Sequence, residues 1–227
     1  MLIHEGDTRT HAIDVMLASI LSLVAGSVNS AGFMAYHFFS ANMTGNISMA
    51  SELLAVSQFD VALSFLTIVV MFIFGAFAAS VFIEVGKRRQ HRNIYALTLI
   101  VEAAILVLVG LSSVGTTAIS NGTVLVGLLS FTMGIQNAAS TRISGSRVRT
   151  THVSGVATDI GVGLAMLASG EANEKAAVLR RLSLHLATVA AFAIGGVFGV
   201  IGYQHFGSAT FALLAAPLIA LSTLYLR

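Results

Sequence analysis

Residues 38–50 read FFSANMTGNISMA, and they lie between two long apolar segments at 12–36 and 61–85. The centre of this stretch, Ser40 to Asn46, is polar and rich in small residues. Its reading decides the fold. As a loop in water it links two ordinary spans through a third short one. As polar backbone inside a bilayer it needs protein or a wet cavity around it, because lipid satisfies no free N–H or C=O group.

Composition puts a bilayer on the page. The chain has 227 residues, 56% of them hydrophobic and only 10% charged, and its mean hydropathy is +0.88. Soluble domains carry about 25% charged residues. The expected class is therefore all-α and polytopic, a single membrane domain over 1–227 with no room for a sizeable soluble unit. The start, MLIHEGDTRTH, lacks the basic opening of a secretory signal, so 12–36 is read as an uncleaved first span. The absence of Cys removes disulfides, thiolate metal sites and Cys nucleophiles.

A crossing helix needs about 20 apolar residues. Six segments qualify, at 12–36, 61–85, 94–111, 123–140, 183–203 and 208–226, and two shorter polar-headed ones lie at 46–56 and 153–168. Charge placement chooses between topologies, since Lys and Arg accumulate in cytoplasmic loops. If all eight segments cross, the twelve basic residues divide seven against five. If the two short segments re-enter on the side they left, all twelve fall inside and none outside. The expectation is six transmembrane helices plus two re-entrant half-helices, in a bacterial inner membrane, with both termini cytoplasmic.

An internal repeat agrees with that map. GSVNSA from Gly26 resembles GIQNAA from Gly134, and Thr44-Gly45 resembles Ser154-Gly155. Asn29 then pairs with Asn137 at an offset of 108, and Thr44 with Ser154 at 110. Gly75-Ala76 and Gly195-Gly196 occupy similar places further on. Repeats over 12–113 and 122–226 with three crossings each must insert in opposite orientations. Inverted repeats with broken helices are a transporter signature.

These motifs carry a resemblance. GSVNSAGF, FSANMTGN, GIQNAA and TTHVSG together resemble the YoaK-type family of small bacterial membrane proteins, a domain of unknown function usually drawn with six spans. The resemblance covers nearly the whole chain. It implies a fold and a membrane address, and no substrate. Asn29-Ser30 stands where the family typically has an Asp-Ala-like pair, and Ser154 stands where it commonly has Thr.

The candidate solute-binding residues are Asn29, Thr44, Gly45, Asn46, Gln136, Asn137, Thr151, His152, Ser154 and Gly155. Amide and hydroxyl groups offer donors and acceptors without a buried charge, and Gly lets backbone approach a ligand. Plainer roles compete. Thr44 and Ser154 serve equally well as caps of the short helices, and Asn29, Ser30, Gln136 and Asn137 as glue between helices. His152 is a single His at a membrane edge, which is more often a surface residue.

Glu102, in the middle of an apolar span, is the most costly residue and a candidate for proton coupling, with His185 as a partner. Glu52 and Asp159 lie on the short segments, and Glu84 stands beside KRRQHR at a helix end. Arg142, Arg147 and Arg149 are ordinary inside-flanking charges or an anion funnel. Gly195 and Gly199 favour close helix packing.

The functional expectation is a secondary transporter or permease for a small polar solute, with its site between two opposed re-entrant motifs. A channel-like facilitator and a non-transporting interaction protein are the alternatives. The lipid bilayer is the evident partner, Gly-rich faces allow a homo-oligomer, and no basic arm suggests nucleic acid. No metal cluster, HExxH or Gly-x-Ser-x-Gly appears, so no catalytic residue, metal or cofactor is expected and the chain reads as a non-enzyme.

Overall fold

A computed structural model describes residues 1–3, 5–112, 122–169 and 175–225. The described residues form eight α-helices: α1 (His11–Tyr36), α2 (Met43–Ala55), α3 (Phe59–Arg88), α4 (Ile94–Leu111), α5 (Gly122–Ser144), α6 (Val153–Ala168), α7 (Lys175–Phe206) and α8 (Ala209–Thr223). Five of them, α1, α3, α4, α5 and α7, are long and apolar enough to cross a membrane. The protein is thus a multi-pass membrane protein, all-helical among the described residues.

Several boundaries differ from the sequence expectation. The segment expected over 208–226 contains an α8 of only 15 residues. At about 1.5 Å per residue that helix is shorter than a hydrocarbon core of about 30 Å. The segment at 46–56 begins earlier, at Met43, because Asn42 caps it. α7 starts at Lys175 and not at 183, since a helix continues into polar sequence once its apolar part is packed. Residues 113 and 226, at the ends of the expected repeats, lie outside the described residues.

Helix directions follow from contacts at named positions. Near one end of α1, Asp14 meets Arg147, which follows α5, and Lys87 at the end of α3 bonds Glu5. At the same end His11 Nε2 lies 2.9 Å from Ser183 Oγ, early in α7. So α1 and α7 run one way, and α3 and α5 run the other. It follows that the chain between α1 and α3, including α2, leaves and returns at one end of the bundle. The chain between α5 and α7, including α6, leaves and returns at the opposite end.

Two helix pairs form the frame, and glycine makes both close. A Cβ at Gly26 would overlap the Phe192 carbonyl, and one at Gly195 the Leu23 carbonyl, where α1 meets α7. A Cβ at Gly134 would overlap the Phe72 carbonyl, and one at Gly75 the Phe131 carbonyl, where α5 meets α3. Hydroxyls tie the same pairs: Ser27 Oγ donates to Gly195 O at 2.8 Å, and Ser130 Oγ to Ile68 O at 2.8 Å. Small residues serve this way in bilayers because close backbone approach replaces the missing hydrophobic drive between helices.

The helices divide into an inner and an outer set. α1, α4 and α5 bury over half of their apolar windows, whereas α3 and α7 bury under a third. Outward-facing Val70, Ile73 and Phe77 on α3 and Ile194, Val197 and Phe198 on α7 are exposed, as lipid contact requires. The short helices pack outside this frame, α2 against α3 and α6 against α7.

Candidate functional site

The polar stretch at 38–50 is held by two side chains that the sequence singled out, Asn29 and Asn46, and by one that it did not, Asn42. α1 ends at His37, whose backbone is left-handed (φ 60°), and the chain turns back along the bundle. Asn29, buried two turns before that end, accepts the Ala41 N–H on Oδ1 at 2.9 Å. Asn46 donates from Nδ2 to the Phe39 carbonyl at 2.9 Å. Asn42 Oδ1 accepts the Gly45 N–H at 3.0 Å, so Asn42 caps α2. Capping by Thr44 is therefore corrected. An Asx side chain placed before the first turn reaches the free N–H groups, whereas Thr44 already lies within the helix. Thr44 is exposed, and Gly45 fits tightly beside the Asn42 amide, where a Cβ would lie 2.9 Å from Cγ.

The second stretch repeats the design with different chemistry. α5 ends before Gly145, which is left-handed (φ 61°), a conformation that Gly adopts freely. The chain turns back, and Thr151 Oγ1 donates to Asn137 Oδ1 at 3.1 Å. Gln136, fully buried, donates from Nε2 to the Leu21 carbonyl at 2.9 Å and to Thr150 Oγ1 at 3.0 Å. That one amide joins α5, α1 and the turn before α6, and its Oε1 has no partner among the described residues. Ser154 and Gly155 are exposed on the first turn of α6, and a Cβ on Gly155 would touch nothing. His152 precedes α6 and makes no cap bond, so capping by Ser154 or His152 is absent. Desolvation, then the neighbouring Arg149 charge, holds the His152 imidazole below its ordinary pKa.

The structure brings Gln136, Asn137, Thr150 and Thr151 into one network. It places Thr44, Gly45 and Asn46 elsewhere, against α3. α2 and α6 do not touch each other; the α1–α5 contact, bridged by Gln136, stands between their positions.

Beside α6 lies a cavity of about 830 Å³. It opens among the start of α1, the turn before α6, α6 itself and the start of α7. Five arginines and two aspartates line it, together with His11, His185 and Thr188. Asp14 is 3% exposed and accepts from Arg9 Nε at 2.6 Å on Oδ1 and from Arg147 Nε at 2.9 Å on Oδ2. His185 Nε2 lies 3.9 Å from Asp159 Oδ2.

Two pairings expected from sequence change accordingly. His185 is the neighbour of Asp159 and not of Glu102, because α6 packs along α7 and brings Asp159 to that level. Arg142 bonds Glu84 at 2.9 Å and Arg147 bonds Asp14, so these two arginines hold helix ends together before they can hold a free anion. Glu84 also accepts from Arg88 at 3.2 Å. Sequence reading passed over Asp14 and Arg9, although an acid inside the first apolar span close after an Arg is a visible signal of pairing.

Glu102 is fully buried in α4, and neither carboxyl oxygen has a hydrogen-bond partner among the described residues. α4 packs mainly on α8, away from the cavity. Among the described residues no group of His, Asp or Glu is arranged to hold a metal.

Comparison with known proteins agrees with the fold. Residues 17–224 match a family described as "Protein of unknown function (DUF1275)". Over 140 residues the chain is 29% identical to the UPF0700 transmembrane protein YoaK of Bacillus subtilis (strain 168). That match covers 61% of this chain and 62% of YoaK, less than two thirds of the relative's length. No solved structure matches the chain.

Proposed function

The chain belongs to the DUF1275 family, and from that premise we propose that it is a secondary transporter for a small polar solute. In this reading 1–227 is one membrane domain in the bacterial inner membrane. α2 and α6 are re-entrant half-helices, α8 is a short sixth crossing, and the repeats over 12–113 and 122–226 insert in opposite senses. The end bearing Arg9, Lys87, Arg142 and Arg147 is cytoplasmic by the positive-inside rule, which places both termini inside.

Packing supports the inverted repeat. α1 pairs with α7 as α5 pairs with α3, and α2 lies on α3 as α6 lies on α7. The four glycine contacts of the frame obey the same exchange. Ser48 Oγ donates to Thr44 O at 3.1 Å, and Thr158 Oγ1 to Ser154 O at 3.2 Å, at the offset of 110 read from the sequence.

The observation that carries the transport reading is a difference between equivalent places. A cavity opens beside α6 and α7 and reaches Thr188, fourteen positions into α7. Beside α2 and α3 the Phe38–Phe65 pair, 4.8 Å between ring centroids, occupies the corresponding position. Alternating access requires one open and one closed side, and in this reading the aromatic pair marks the closed one. None of the ten residues singled out by sequence lines that cavity; Asn29, Asn46, Gln136, Asn137 and Thr151 hold the two turns beside the pathway, and Thr44, Gly45, His152, Ser154 and Gly155 meet the solute on its way past them in this reading. It leaves the chain no catalytic step.

The test is uptake by the reconstituted chain in proteoliposomes across labelled carboxylates, phosphate, amino acids and sugars. Saturable uptake of one class, lost in Thr44→Ala or Ser154→Ala at unchanged melting temperature, is expected. Unsaturable flux would make the protein a passive facilitator, and no flux for any class would end the transport reading.

A further inference from the structure

The cavity beside α6 carries an unbalanced charge. Five arginines line it against two aspartates. Asp14 is already shared between Arg9 and Arg147, one carboxyl oxygen each. Asp159 faces His185. Arg149, Arg180 and Arg181 remain, and none of them has an acidic partner among the described residues. They come from two separate places, the turn before α6 and the second turn of α7, yet all three line one space.

Membrane topology alone accounts poorly for that convergence. The positive-inside rule needs basic residues near the inner face in any arrangement, and KRRQHR already supplies them around another loop. At the same end of the bundle, Arg142 and Arg147 each meet a carboxylate. Guanidinium groups in excess over carboxylates, as Arg149, Arg180 and Arg181 are over Asp159 here, present forks of N–H donors that fit a carboxylate or phosphate in two-bond geometry.

We propose that this cavity is an oxyanion site, in which Arg149, Arg180 and Arg181 hold a carboxylate or phosphate group, and that the solute of the transport reading is therefore a small anion. The second clause rests on that reading; the site itself stands on the cavity and its charge. Thr188 lines the same cavity, but its hydroxyl already donates to the Leu184 carbonyl at 2.8 Å and keeps only acceptor capacity for the uncharged part of such a solute. The apolar floor at Val156 and Leu184 takes no part in charge recognition.

The experiment uses the full chain in nanodiscs of phosphatidylcholine alone, at fixed ionic strength. Radiolabelled inorganic phosphate and radiolabelled succinate are the probes, with lysine and glucose as cationic and neutral competitors. Retention of either anion is expected, displaced by neither competitor. Arg149→Gln and Arg180→Gln should each weaken it about tenfold or more, the cost of one hydrogen bond to a charged group. Removing arginines disturbs insertion signals, so the triple variant R149K/R180K/R181K is the second arm. It keeps the charge and the topology and should bind several-fold more weakly, because an ammonium lacks the fork.

Equal retention by wild type and R149Q/R180Q/R181Q, or no retention of either probe, overturns the site. Discs containing phosphatidylglycerol separate the sources of the oxyanion. Retention unchanged by that lipid assigns the site to a solute, and retention abolished by it assigns the site to a headgroup and overturns the second clause. Flux in proteoliposomes keeps the two readings apart. Anion retention without flux sinks the transport reading and leaves the site, whereas flux of a neutral solute without anion retention does the reverse.

Discussion

Asn29 Oδ1 accepts the backbone N–H of Ala41 at 2.9 Å, and so pins the chain that turns back after α1. Asn137 does the same for the turn after α5 through the Thr151 hydroxyl at 3.1 Å. The two asparagines are glue, but between a helix and a turn rather than between two helices. Asn29→Ala leaves the buried Ala41 N–H without a partner, a cost of about 1–3 kcal/mol. Asn137→Ala frees the half-buried Thr151 hydroxyl, which can rotate towards water, and removes only a long 3.5 Å contact from the buried Thr150 hydroxyl, so its cost should fall at the low end of that range. Melting of both variants in one detergent checks the order; equal losses would mean that the Ala41 bond is not special.

Glycine at the helix crossings yields a sharper contrast. Gly26→Ala and Gly195→Ala push a methyl into a backbone carbonyl of the facing helix. Backbone cannot swing aside as a side chain can, so each should cost about 1–3 kcal/mol by forcing α1 and α7 apart. Gly155→Ala meets nothing within 4 Å and lies on an exposed helical turn. There the gain in helix propensity should leave stability equal or slightly higher. Thermal melts of the three variants side by side decide the matter, and a destabilised Gly155→Ala would mean that α6 packs against something in the bilayer.

Periodicity and hydropathy made the long helices legible, because each apolar face must be buried or meet lipid. α8 was overestimated for the same reason: Leu224 is apolar but lies beyond the last helical turn. The asparagines at 29 and 137 were legible through the repeat, since a polar side chain inside an apolar span needs a partner wherever it lies. Their partners were not, because Ala41 contributes only a backbone N–H, which every residue except Pro possesses. The cavity was legible only as a surplus of arginine. Which arginines are neutralised depends on Asp14 and Glu84 meeting residues 133 and 58 positions away, and no local pattern encodes that.

Glu102 separates stability from coupling. Its carboxyl group is fully buried, with no hydrogen-bond partner among the described residues. A charge at a helix centre in a bilayer costs roughly 3 kcal/mol on insertion scales. Glu102→Gln removes the ionisable group and keeps the shape, so melting should be unchanged or higher. If Glu102 carries the coupling proton, accumulation against a gradient should vanish while downhill exchange of the same solute persists. Unchanged accumulation would leave Glu102 a buried neutral acid with no part in coupling.

Topology is the prediction on which the others lean, and the chain invites the test because it contains no Cys. Ser40 and Ser144 are unsuitable probe sites, since both are fully buried and would stay unlabelled on either side. His37 and Ser57 flank α2, Ser146 and Ser169 flank α6, and all four are exposed. Single Cys residues at these positions, treated in intact cells with a membrane-impermeant thiol reagent, report sidedness directly. Because α1 and α3 are antiparallel, as are α5 and α7, the positions flanking each short helix should behave alike. His37→Cys and Ser57→Cys should label from outside, and Ser146→Cys and Ser169→Cys only after the membrane is opened. Opposite behaviour within either pair would make that short helix a crossing, reverse the orientation of everything after it, and remove the inverted repeat on which the transport reading depends.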